Sequence, residues 1–268
     1  MGSSEVYPNA PLALVAVEVR FPDGAAALLG PAVHRAVRDR LSDKWVIEGG
    51  KQQTMEVAFS TAGVAAPNVR SENVSRITVR DRTQVVTVRQ DSLTVEATRY
   101  RGYEVFRELL GQAFAAVEDL LEPDGVSRLG LRYINEISVP VGEGTIDWAQ
   151  WVHASLLPPS TEALTPATWT SAVQYDVGQD QHLVLRYGPA SQPVVAPSGG
   201  PLRRPRVPKG QIFVLDFDSY WQPDEIPAFS ADALLRSCDD LRAPVRTLFT
   251  ELALERLVSE VFRMEPER

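Results

Sequence analysis

The sequence predicts an α+β protein: a curved antiparallel sheet with helices on one face, made of two halves of order β-α-β(3-4)-α. Three observations point there. Short stretches rich in β-branched and aromatic residues alternate apolar and polar positions, the period of a half-buried strand. Turn residues such as Asp81-Arg82 and Asp91 separate neighbouring stretches, as tight hairpins require. Two longer stretches, one near the middle and one near the end, carry apolar residues at helical spacing.

Taken in order, residues 1 to 8 read as a loose lead-in. Leu12 to Phe21 is a strand ended by Pro22-Asp-Gly24, with Ala13, Val15, Val17, Val19 and Phe21 on one face and Glu18 and Arg20 on the other. Ala25 to Leu41 reads as a helix interrupted or restarted at Gly30-Pro31. Strands follow at Thr54–Ser60, Arg76–Arg80, Gln84–Gln90 and Ser92–Tyr100. Tyr103 to Leu121 is then an amphipathic helix with Phe106, Leu109, Leu110, Phe114, Val117 and Leu121 on its stripe. The second half opens on Arg128–Val139. Period two puts Leu129, Leu131, Tyr133, Asn135 and Ile137 on its covered face, with Arg132, Ile134 and Glu136 opposite. Ile146 to Leu157 reads as a helix, and strands follow at Thr168–Asp176, His182–Tyr187 and Gln211–Tyr220. A long final helix starts from Ser230 as N-cap, and Pro244 should kink or divide it. Pro189–Gly210, rich in proline, reads as a long surface loop.

The halves, about 9–124 and 125–268, repeat one order, so a single domain of two pseudo-repeats joined edge to edge is expected. That order is similar to the TATA-binding-protein-like fold, with a helix-grip fold as the alternative. Fold alone assigns no function.

Composition excludes several classes. The 268 residues are 44% hydrophobic, enough for a large core. A net charge of -8 disfavours nonspecific binding to nucleic acid or anionic membrane. The single Cys238 rules out an intramolecular disulfide and a thiol-based zinc site. No signal-peptide pattern and no apolar run of about 18 residues point to a cytoplasmic protein without membrane contact. Val6 stands where a myristoylation signal needs Ser or Thr.

Certain strings carry a family resemblance: Asn9-Ala-Pro-Leu12 before a strand ending Glu18-Val-Arg-Phe21, Thr98-Arg-Tyr-Arg-Gly-Tyr-Glu-Val-Phe106, Arg128-Leu-Gly-Leu-Arg-Tyr-Ile-Asn135, and Val214-Leu-Asp-Phe-Asp218. In order and spacing they resemble a sporadically distributed bacterial family of conserved hypothetical proteins, over roughly Asn9 to Met264. The resemblance implies no activity and no catalytic residues. The family's patchy distribution implies an accessory or defence-type operon.

The candidate site is the strand face opposite the helices. Glu18, Arg20, Arg132, Glu136, Arg186, Asp216 and Asp218 should converge there and bind a protein partner or polar ligand through charge-assisted hydrogen bonds. The alternative is a solvated face of cross-strand ion pairs, each worth about 0.2–1 kcal/mol. Arg203, Arg204, Arg206 and Lys209 form the concentrated basic stretch and could touch nucleic-acid phosphates. Asp216 and Asp218, two apart on a strand, could hold a cation, giving a metal-dependent enzyme as a further alternative. No metal-ligand spacing links His34, His153 and His182, and no nucleophile elbow or phosphate-cradling loop is present. Trp148, Trp151, Trp169 and Trp221 suit core, cavity or interface positions. The expectation is a non-enzymatic interaction module with no cofactor, able to form a homo-oligomer.

Overall fold

A computed structural model describes residues 7–22, 31–41, 44–48, 50–56, 59–60, 63–64, 68–140, 146–161, 163–164, 166–195 and 202–264. Its strands are β1 (Leu12–Arg20), β2 (Trp45–Ile47), β3 (Gly50–Glu56), β4 (Phe59–Ser60), β5 (Gly63–Val64), β6 (Asn68–Val79), β7 (Gln84–Val88), β8 (Ser92–Ala97), β9 (Arg128–Ile137), β10 (Ser171–Gly178), β11 (Gln181–Ala190) and β12 (Ile212–Trp221). The longer helices are α1 (Pro31–Leu41), α2 (Tyr103–Leu121) and α3 (Ala231–Leu252), and a short C-terminal helical turn covers Glu255–Leu257 and Val258–Phe262.

The main sheet is antiparallel and runs β10-β11-β12-β9-β1-β8-β7-β6-β2, while β3 pairs further along β6. The class is therefore α+β with an open antiparallel sheet. β1 and β9 sit side by side at its middle, with Val17 opposite Leu131 and Val15 opposite Tyr133. Alternation fixes which side chains go inward. Val15, Val17 and Val19 of β1, Leu129 and Leu131 of β9, and Leu215 and Phe217 of β12 share one core with Phe106, Leu110, Phe114 and Val117 of α2 and Leu234, Leu241 and Val245 of α3. Each large aliphatic or aromatic side chain buried this way contributes about 1.5–3 kcal/mol relative to exposure.

A polar seam ties α2 to α3. Arg107 sets its guanidinium on Asp239 at 2.9 and 3.0 Å, the Tyr103 hydroxyl donates to the same carboxylate at 2.8 Å, and Arg242 lies 4.2 Å over the Tyr103 ring. Beside this seam Cys238 is fully buried, and burial pushes its thiol well up.

The structure corrects several expectations. Residues 146–157 form no α-helix. Asp147 takes the Ala149 N–H and His153 takes the Ser155 N–H, so each caps a three-residue 3₁₀ turn, Trp148–Gln150 and Ala154–Leu156. These side chains compete locally with α-helical bonding, and Val152 instead bridges to Ala253. Helix α3 is not divided at Pro244 but runs from the Ser230 cap to Leu252. β2 went unseen because three residues are too short for a period. β6 starts at Asn68, well before Arg76, and β11 continues through Pro189. Residues 25–30, part of the expected first helix, lie outside the described residues. At the sheet edge, Val173, Tyr175 and Val177 of β10 are all exposed.

Candidate functional site

Residues directly opposite in an antiparallel pair point to the same side, so the register assigns the outer face. Arg132 stands opposite Asp218, Asp216 opposite both Ile134 and Arg186, and Ala16 opposite both Arg132 and Glu96. Glu18, Arg20, Arg128, Arg132, Arg186, Asp216 and Asp218 therefore share one surface.

They form a continuous charge ladder. Arg132 crosses diagonally to Asp216, Nε donating to Oδ1 at 2.8 Å and Nη2 to Oδ2 at 2.7 Å. Arg186 Nη1 lies 3.9 Å from an oxygen of both Asp216 and Asp218. Arg128 spans Asp218, at 3.6 Å, and Glu18, to which it donates at 3.3 Å. Arg20 donates to Glu18 at 3.1 Å. The carboxylates lie deeper, with the Asp216 side chain 10% exposed and those of Arg20, Arg132 and Arg186 near one half.

Gly130 explains how Arg128 reaches this far. A Cβ there would sit 2.6 Å from Arg128 Nη1, so glycine leaves room for the guanidinium to fold across the strand, and a larger residue would push it aside. Arg128 also lies 4.8 Å over the Tyr220 ring, which packs 5.2 Å from His182. Arg128, Tyr220 and His182 were not among the expected site residues. The signal was present, because Arg128 shares the parity of Arg132 and Glu136.

Glu136 stands apart from the ladder. Its side chain is fully buried, and Oε1 accepts the backbone N–H groups of Val194 and Val195 at 2.9 and 2.8 Å. Oε2 lies 2.8 Å from Arg204 Nη1, an ionic contact without hydrogen-bond alignment, and that nitrogen donates to the Val195 carbonyl at 3.0 Å. Arg204 is 4% exposed. Further along, Arg203 N–H donates to the Arg82 carbonyl at 2.7 Å, Thr98 Oγ1 to the Arg203 carbonyl at 2.6 Å, and Arg206 Nη1 to Asn9 Oδ1 at 2.6 Å. Residues 194–195 and 203–206 of the proline-rich stretch are thus tied down at one end of the sheet, and this part serves as a strap. Arg203, Arg206 and Lys209 remain exposed, but Arg204 does not.

The first half has a different outer face. Thr78, Val85, Thr87 and Ser92 are buried there, and Glu96 is half-buried. Burial raises the Glu96 carboxyl, Arg89 and Arg76 pull it down, and Glu18 pushes it up.

The ladder bears on chemistry. Both Asp216 oxygens carry the Arg132 fork, and Asp218 lies between Arg128 and Arg186, so the pair is set up for guanidinium rather than for a metal ion. Among the described residues no group of three or more His, Cys, Asp or Glu is placed to hold a metal, and no helix is long and apolar enough to cross a membrane.

Set against known sequences, the chain matches no family model, and no curated protein matches it.

Proposed function

We propose that this protein is a non-enzymatic interaction module whose outer sheet face binds a protein partner, serving in an accessory or defence-type bacterial operon and acting in the cytoplasm. The observation that carries this reading is the ladder itself. Arg132 is held by two hydrogen bonds to Asp216, Arg186 lies 3.9 Å from both Asp216 and Asp218, and about half of each arginine side chain remains open to solvent. A preoriented fork loses little side-chain freedom on binding, and planar guanidinium suits carboxylates and carbonyls of a partner. Exposed ion pairs add little to stability, about 0–1 kcal/mol each, so folding alone gives weak reason to build seven charges into one row.

The strand order supports reading the halves as pseudo-repeats. From the central β1 and β9, the chain places β8, β7 and β6 on one side and β12, β11 and β10 on the other. In each half the strand next to the centre leads into a long helix. This is the order a TATA-binding-protein-like duplication would have.

The test is capture from the host lysate by the tagged protein, with and without nuclease, followed by repetition with Arg132→Ala/Arg186→Ala. A stoichiometric protein that survives nuclease and is lost from the variant is the expected result. Retention unchanged in the variant overturns the outer-face reading. Retention that disappears with nuclease favours the second reading, nucleic-acid binding. That reading rests on the exposed Arg203, Arg206 and Lys209, and it predicts a salt-steep affinity that falls when the three are neutralised.

A further inference from the structure

A half-open groove of about 1050 Å³ lies at the strapped end of the sheet, away from the charge ladder. Its walls come from five parts of the chain: the segment before β1, the turn after β8, the end of β9, the strap and the C-terminal turn. Half-buried Leu12 and Tyr100 line it, and beneath them Phe262 packs 5.5 Å from Tyr7. Pro8, Pro11, Pro140, Pro205 and Pro208 lie along the walls. Proline offers a carbonyl and an apolar ring but no N–H, so at these five positions the backbone presents an acceptor and no donor, while Arg101 and Arg206 supply side-chain donors.

The charges at the rim are unbalanced. Glu136 is taken by Arg204, Glu260 by Arg256 at 3.0 Å, and Arg99 by Asp81 at 2.7 Å. Arg101 and Arg206 also line the groove, both are exposed, and neither forms an ion pair among the described residues. Arg206 is steadied through one nitrogen by Asn9, which is itself tied to the C-terminal turn by its Nδ2 donating to the Val261 carbonyl at 3.0 Å. Arg101 also lines a neighbouring depression of about 450 Å³ together with Lys44 and Arg80, which extends the positive rim.

We infer that this groove binds an extended acidic peptide segment of a partner protein. Proline carbonyls along the walls accept from the peptide's backbone N–H groups, the apolar floor takes alternate side chains, and Arg101 and Arg206 take its carboxylates. A nucleic-acid strand fits this chemistry less well. It needs cations for a run of successive phosphates, whereas Arg99 and Arg204 are already paired with Asp81 and Glu136, which leaves Arg101 and Arg206 for two charges of a ligand in the groove. The inference concerns a surface separate from the outer face and stands whether or not the ladder binds a partner.

The test is fluorescence anisotropy of a short labelled peptide alternating glutamate with leucine and proline, titrated with the whole protein at low and physiological salt. The expected result is saturable binding that weakens with salt. It should drop about tenfold in Arg101→Glu and in Arg206→Gln, and be unchanged in Arg132→Ala/Arg186→Ala. Arg101 makes no bond to a described residue, so its variant keeps the fold, which circular dichroism verifies. No saturable binding, equal binding of the glutamine counterpart, or affinity unaffected by Arg101→Glu overturns the proposal. So does stronger competition by oligothymidylate, which would make the groove a nucleic-acid surface.

Discussion

On the β6–β8 side of the sheet the outer face is small and sealed: Thr78, Val85 and Thr87 are buried, and Glu96 titrates upward for want of solvent. On the β9–β12 side the same sheet carries Arg132, Arg186, Asp216 and Asp218 in an open row. The backbone pairing is alike on both sides, and the difference lies in how deeply the outward side chains are buried. A sheet needs only one apolar face to fold. The chain buries much of a second face in one half and leaves it exposed in the other.

The sharpest way to break this comparison is to place one new carboxylate on each side. Val85→Asp puts a charge in a sealed position directly opposite Glu96. It should cost about 4 kcal/mol or more, read as a collapse of the urea midpoint. Val184→Asp faces Asp218 but is half-buried and two residues from Arg186, so it should cost about 1 kcal/mol. Equal losses would mean that the two faces do not differ.

Next in size is Glu136→Ala, which strands Arg204 in a buried site and deprives two backbone N–H groups of their acceptor. A loss of about 3 kcal/mol is expected, with faster tryptic cleavage after Arg203 as the strap lifts. Cleavage at the parental rate would show that the strap is held elsewhere.

The smallest effect sharpens the comparison through pH. The folded-state pKa of Glu96 lies above its unfolded value, so the stability it contributes is complete below the ordinary glutamate pKa and is lost as pH rises through the folded value. Glu96→Gln copies the protonated form. Its urea midpoint should exceed the parent's at pH 7 and converge with it near about pH 4. A constant offset across that range would show that Glu96 does not titrate in a sealed environment.

Parity is why much of this was legible from residues alone. Alternation in Leu12–Arg20 and Arg128–Ile137 assigns inward and outward side chains, and the apolar stripe of Tyr103–Leu121 matches its helix end to end. Six of the seven expected face residues do join one ladder. The seventh, Glu136, has the right parity but is claimed by Arg204, a partner distant in sequence that no local pattern announces. The same blindness to distant contacts made the strap look like a free loop. Asp147 and His153 misled in the opposite direction, since their capping bonds are local but override the helical spacing of the tryptophans around them.

Cys238 turns the helix layer into a clock. It is the sole thiol of the chain, sits beside the Tyr103–Asp239–Arg107 seam, and is out of reach of water. A thiol reagent can meet it only when α3 parts from its neighbours, so the rate of modification counts those openings. With every other residue silent, that rate follows the breathing of the core in a living cell as readily as in a cuvette.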